Sequence, residues 1–96
     1  MERQTFVLTG VEHRGTNGDR ARFVCYVKGE PGTLAVWGTI GDDMRHIHAL
    51  DKASARDGWP VTVECEWIRP NPEIAERFGH QFWVPEGAYF EILPSL

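Results

Sequence analysis

Ala21-Arg22-Phe23-Val24-Cys25-Tyr26-Val27-Lys28-Gly29-Glu30-Pro31-Gly32-Thr33-Leu34-Ala35-Val36-Trp37-Gly38-Thr39-Ile40 is the stretch from which the rest of the chain is read. Two β-rich runs flank Gly29-Glu30-Pro31-Gly32. Its Pro31-Gly32 step suits a type II turn, because proline holds φ at about −65° and glycine takes the positive φ that follows. Alternation then sorts the two strands by face. Phe23, Cys25 and Val27 share one face with Leu34, Val36 and Ile40, an ordinary core. Arg22, Tyr26 and Lys28 share the other with Ala35, Trp37 and Thr39. Two aromatics flanked by basic groups exceed what a core requires, and this second face is the main functional clue.

Towards the N-terminus, Thr5 to Glu12 is β-branched and aromatic and reads as a first strand, with Gly10 marking a bend or bulge. His13 to Arg20 reads as a hairpin loop in which Asn17-Gly18 suits positive φ. That loop would present Arg14 and Arg20 beside flexible glycines, as a phosphate-contacting loop would and a solvated hairpin tip also would.

Towards the C-terminus, Gly41 ends the third strand and Asp42-Asp43 can cap a helix over residues 43–56. Met44, Ile47 and Leu50 supply its apolar spacing, Lys52 and Arg56 lie late, and Gly58 stops it. Arg45-His46-Ile47-His48 could instead prolong the preceding strand. Val61 to Arg69 alternates as a fourth strand, with Val61, Val63, Cys65 and Trp67 inward and Thr62, Glu64 and Glu66 outward. Asn71-Pro72 then opens a short helix, as cap and first helical residue, that closes at Gly79. Residues 81–84 and 88–93 read as one last strand interrupted at Pro85-Glu86-Gly87 by a tight turn or a bulge. Phe82 and Trp83 alternate, and Trp83 is assigned outward.

Ninety-six residues form one domain, with a hydrophobic fraction of 42% and a charged fraction of 25% that are ordinary for a water-soluble protein. No apolar run approaches the roughly 20 residues of a membrane span, and no signal peptide opens the chain, so a cytoplasmic location is expected. The two cysteines fall on inward strand positions and read as buried thiols. The net charge of −4 counts against generic nucleic-acid binding. Its distribution softens the objection: residues 1–28 carry five basic and three acidic groups, whereas residues 29–68 carry three basic and seven acidic.

The element order predicts an all-β chain with a helix: a five-stranded Greek-key barrel, the helix between strands three and four, and a short helix in the loop between four and five. Gly58-Trp59-Pro60-Val61-Thr62-Val63-Glu64 resembles the Gly-x-x-Val-x-Val step of OB-fold proteins. Leu34-Ala35-Val36-Trp37-Gly38 is similar to strand three of single-stranded DNA-binding members of that superfamily. The resemblance implies a ligand lying across strands two and three, between the first and fourth loops. On this chain that selects Arg14, Arg20, Arg22, Tyr26, Lys28, Trp37, Arg69 and Trp83, in a homodimer of bacterial, phage or plasmid origin. Exposed aromatics give sequence-tolerant base stacking while Arg and Lys follow the phosphates. Single-stranded DNA, or RNA, is therefore the expected partner. The alternative is a protein–protein module whose acidic surface meets a basic partner.

Catalysis is not expected. His13, His46, His48 and His80 are dispersed, no Cys-x-x-Cys accompanies them, and no nucleophile or phosphate-loop motif occurs, so neither a metal nor a cofactor is implied. Glu64 and Glu66, alternating on a strand, read as a solvated face.

Overall fold

The computed structural model describes residues 1–17, 20–29, 33–39, 45–85 and 87–94; the side chains at 14–17, 20–22, 33–39, 74 and 78 lie outside that description. In chain order the elements are β1 (Glu2–Asn17), β2 (Arg20–Val27), β3 (Thr33–Thr39), α1 (Arg45–Asp57), β4 (Val61–Trp67), α2 (Pro72–Phe78), β5 (His80–Val84) and β6 (Phe90–Ile92). The chain is mostly β with a helix between β3 and β4, as its pattern predicts. The strands form one sheet in the order β5-β3-β2-β1-β4-β6, with β3 and β5 parallel and the other pairs antiparallel.

β1 bends the sheet. Its first half pairs with β4, from Glu2 opposite Trp67 to Leu8 opposite Val61, and its second half pairs with β2. The handover falls at the register shift between Leu8 and Gly10, the position where the glycine predicts a bulge. One expectation is corrected here. Residues 13–17 are not a loop: the ladder runs on through Thr16 opposite Ala21 to Asn17 opposite Arg20. A second irregularity between His13 and Gly15 leaves Arg14 as the extra residue, and pairing continues with Gly15 opposite Arg22. Arg14 and Arg20 therefore sit on strand ends. The predicted turns at Gly18 and at Pro31-Gly32, and the Asp42-Asp43 cap, lie outside the described residues.

α1 is a helix from Arg45, so Arg45-His46-Ile47-His48 does not prolong β3. Ile47, Leu50 and Ala53 are its buried face, and the Gly58 N–H, at φ 79°, donates to the Ser54 carbonyl at 2.8 Å to end it. α2 follows its sequence pattern closely: Asn71 accepts from the Glu73 N–H at 2.9 Å, Pro72 opens the helix, and Gly79 closes it in the left-handed region at φ 71°. The Ile74 and Phe78 pair expected on its apolar side lies outside the described side chains.

The last strand is two strands. Pro85 accepts from the Ala88 N–H at 3.2 Å across a tight turn with Gly87 at φ 77°. β5 then lies beside β3 and β6 beside β4, at opposite ends of the strand order. The turn is the physical reason, since proline cannot donate to a ladder and the turn steps the chain from one neighbour to another. Even so, β4 meets both pieces along a single edge. Ile68 and Trp83 exchange both backbone hydrogen bonds (2.8 and 3.0 Å), Glu66 N–H donates to Tyr89, and Leu93 N–H donates to Thr62.

The core is one cluster built around Phe6, Leu8, Cys25, Leu50, Val63, Cys65 and Val84. Both cysteines are buried thiols on inward positions, as alternation requires. Trp67 and Phe6 each meet the Phe82 ring edge-on at 4.8 Å, an aromatic row reaching from β4 through β5 to β1.

Candidate functional site: an aromatic sheet face

The outward face of β2, β3 and β5 is set by its neighbours on the inward face. Cys25 and Val84 are fully buried and Phe82 packs on the core, so Val24, Tyr26 and Trp83 point to the opposite side. Register then lays out the surface. Trp83 stands opposite Ala35, Ala35 opposite Val24, and Val24 opposite Glu12. One step along, Tyr26 lies between Thr33 and Gly10, with its ring at ordinary contact distance from the place a side chain at Gly10 would occupy (3.8 Å). Strand spacing and rise put Tyr26 about 12 Å from Trp83 through the backbone. No single planar group spans that gap, so the two rings are separate contact points.

Neither ring is fully open. Tyr26 and Trp83 are half-buried, and the Tyr26 hydroxyl donates to the Glu12 carboxylate. That contact holds the phenol flat along the sheet and places an acid within the row. Val24 is only 2% exposed although it lies on this outward face and outside the main core cluster.

The expected residues separate into three groups. Arg69 and Trp83 are brought together: the two-bond bridge between Ile68 and Trp83 sets the exposed Arg69 one residue beyond Trp83's partner. Tyr26 shares Trp83's sheet face, and the exposed Lys28 follows β2, its N–H donating to the Val7 carbonyl at 2.8 Å. Arg22 and Trp37 are paired in register, and Arg20 is opposite both Asn17 and Thr39, while Arg14 falls at the irregularity between His13 and Gly15. The side chains of these four lie outside the described residues.

Three residues of this surface escape the sequence reading. Glu12 becomes Tyr26's partner only through a register that the bulge displaces. Val24 is hidden by its own alternation, since a valine between Arg22 and Tyr26 reads as exposed. Ile68, 41% exposed beside Trp83, is visible in principle, because an inward Trp67 requires its neighbour to face out.

β4 and β6 carry a different outward surface. Glu64 stands opposite Glu91, a like-charge pair that is unfavourable on its own. Tyr89 relieves it by donating its hydroxyl to Glu91 and its N–H to Glu66 at 3.1 Å. Arg3 lies 4.0 Å above the Tyr89 ring and 4.0 Å from Glu66. The hydrogen bond to Glu91 pushes the Tyr89 phenol up to about 12, with desolvation and then the charges of Glu91 and Glu64 adding to it. Among the described residues no three His, Cys, Asp or Glu side chains are placed to hold a metal ion, and no helix is long and apolar enough to cross a membrane. No family model, no curated protein and no solved structure matches this chain.

Proposed function

We propose that the chain is a five-stranded Greek-key barrel of the OB type, with β5 and β6 as the two halves of one closing strand. Its aromatic face binds single-stranded nucleic acid, single-stranded DNA first, with little sequence preference. The observation that carries this reading is the Ile68–Trp83 bridge. It ties β5, at one end of the sheet order, back to β4, and it sets Ile68 beside Trp83 at the margin of the face that holds Tyr26, with Arg69 next along the backbone. Each aromatic that stacks a base contributes about 1–3 kcal/mol, and basic residues at the margin make the binding fall with salt. Two stacking points give modest affinity, which a homodimer would raise by doubling the sites. A reducing cytoplasm suits Cys25 and Cys65, which are both thiols.

A titration of tryptophan fluorescence with oligo(dT) at low and high salt tests the proposal. Salt-sensitive quenching that is lost in Trp83→Ala and weakened in Tyr26→Ala supports it. No change at micromolar protein sinks it.

One observation favours a second reading. Glu64, Glu66 and Glu91 crowd one outward surface around Tyr89, the charge pattern of a module that docks a basic protein partner. Failure of the oligo(dT) titration leaves this reading standing. Its own test is whether Glu64→Gln with Glu91→Gln removes binding to a lysine-rich peptide.

A further inference from the structure

We infer that the exposed ridge of α1 is a second track for the phosphate backbone of a bound single strand, ending on Trp59. This rests on the nucleic-acid reading and carries the strand's path beyond the aromatic face. Helix geometry builds the ridge. Ile47, Leu50 and Ala53 are the buried face of α1. The helical pitch puts Arg45, Lys52 and Arg56 within about 40° of one another on the opposite side, spread over about 16 Å of axis. All three are exposed, and so is His48 beside them. Of the chain's 10 Lys and Arg residues, these three stand in one line, on a chain of net charge −4.

Folding alone does not favour that line. Lys52 and Arg56 are like charges four residues apart, a spacing that costs a helix stability. The residues three and four away from Lys52 are His48, Ala49, Ala55 and Arg56, none of them acidic, and the adjacent Asp51 points round to the flank. Arg45 opens the helix, where the dipole favours an acid, and the first turn holds none. The Arg56 Nε–H donates to the Asp57 carboxylate at 2.9 Å, and the terminal amino groups of that guanidinium lie outside this bond. A polyanion laid along the ridge offsets these repulsions.

Trp59 selects the kind of polyanion. It is 37% exposed just past Gly58 and lines one open groove with Arg56, Pro60, Leu93 and Pro94. A ring beside the last cation suits an unstacked base next to its phosphate. Of the exposed large apolar side chains Met1, Trp59 and Ile68, only Trp59 adjoins α1, too little apolar surface for a helix lying in a bilayer. The chain itself links the two surfaces. β3 runs from the aromatic face towards α1, and at full extension at most about 22 Å separates Thr39 from Arg45.

The test is the salt dependence of binding to a long labelled oligo(dT), read by fluorescence anisotropy. It compares the wild-type chain with a triple variant, Arg45→Gln, Lys52→Gln and Arg56→Gln. Each phosphate contact contributes about 0.7 to the slope of log affinity against log salt, so the triple variant should flatten it by about 2. Arg45→Lys with Arg56→Lys keeps the charges and should keep the slope. Trp59→Ala should weaken binding about fivefold or more with little change in slope. These positions are exposed, so the variants report on binding and not on folding. An unchanged slope in the triple variant, with oligo(dT) still bound, overturns the ridge and leaves the aromatic face standing. An unchanged slope together with lost binding to phosphatidylserine vesicles assigns the ridge to a lipid surface and also overturns it. Binding that survives Tyr26→Ala with Trp83→Ala but is lost in the triple variant supports the ridge and overturns the face. Absence of binding by the wild-type chain overturns both.

Discussion

At the scale of single residues, three side chains are expected to behave measurably unlike their free counterparts. Burial, with a smaller contribution from the charge of Cys65, pushes the Cys25 thiol up to about 12; burial and the Glu64 charge push Cys65 up to about 12. Both thiols should stay unreactive to an aromatic disulfide reagent at pH 8 in the native protein, and both should react once guanidinium unfolds it. Tyr89 is the third. Its folded-state pKa is raised, so the native state holds that proton more tightly than the unfolded chain does. The stability this contributes is fully present below pH 10, the ordinary tyrosine value, and is lost as pH rises towards about 12. A spectrophotometric titration should find Glu91→Gln moving that ionisation back towards 10. The same scale shows what the sequence makes legible. Alternation alone places Cys25, Cys65 and Tyr26 on their faces, because each sits within a run of regular period, whereas for Phe82 and Trp83 it says only that one of the two faces out. Glu12 is not legible, because its meeting with Tyr26 depends on a bulge whose register shift no local pattern reveals.

At the scale of elements, α2 is the segment whose boundaries follow most directly from local chemistry. An Asn cap, a Pro at the first position and a left-handed Gly at the end are each decided within one turn of chain. Asn71→Ala should cost about 1 kcal/mol by orphaning the Glu73 N–H. Gly79→Ala should cost about 1–2 kcal/mol through its positive φ alone, since open space surrounds the place a Cβ would take. Leu50→Ala in α1 removes a fully buried side chain and should cost about 2–5 kcal/mol. Thermal or urea melts check all three. The strands were harder to delimit. Gly15 and Asn17 read as breakers, yet cross-strand pairing overrode them, and the split of the last strand depends on which distant neighbour each half meets. Pro85-Glu86-Gly87 marks the interruption but does not say that the two sides part company.

At the scale of the whole molecule, the aromatic and acidic surfaces meet along β4. Glu66 stands two residues from Ile68 on the same face, about 7 Å away by strand rise. Two unit charges at that separation in water interact by about 0.6 kcal/mol, so a phosphate near Ile68 feels a real but small repulsion. Glu66→Gln keeps the acceptor for the Tyr89 N–H and should tighten oligo(dT) binding about two- to threefold at low salt, with the gain fading as salt screens it. Sharing of β1 between two partners has a kinetic consequence as well. Its second half finds β2 through a hairpin, whereas its first half must wait for β4 across most of the chain. Loop-closure entropy favours the local half forming first. Stopped-flow measurements should then find that Val11→Ala mainly slows refolding, whereas Val63→Ala mainly speeds unfolding. The bulge at Gly10 would be the border between an early and a late half of the same strand.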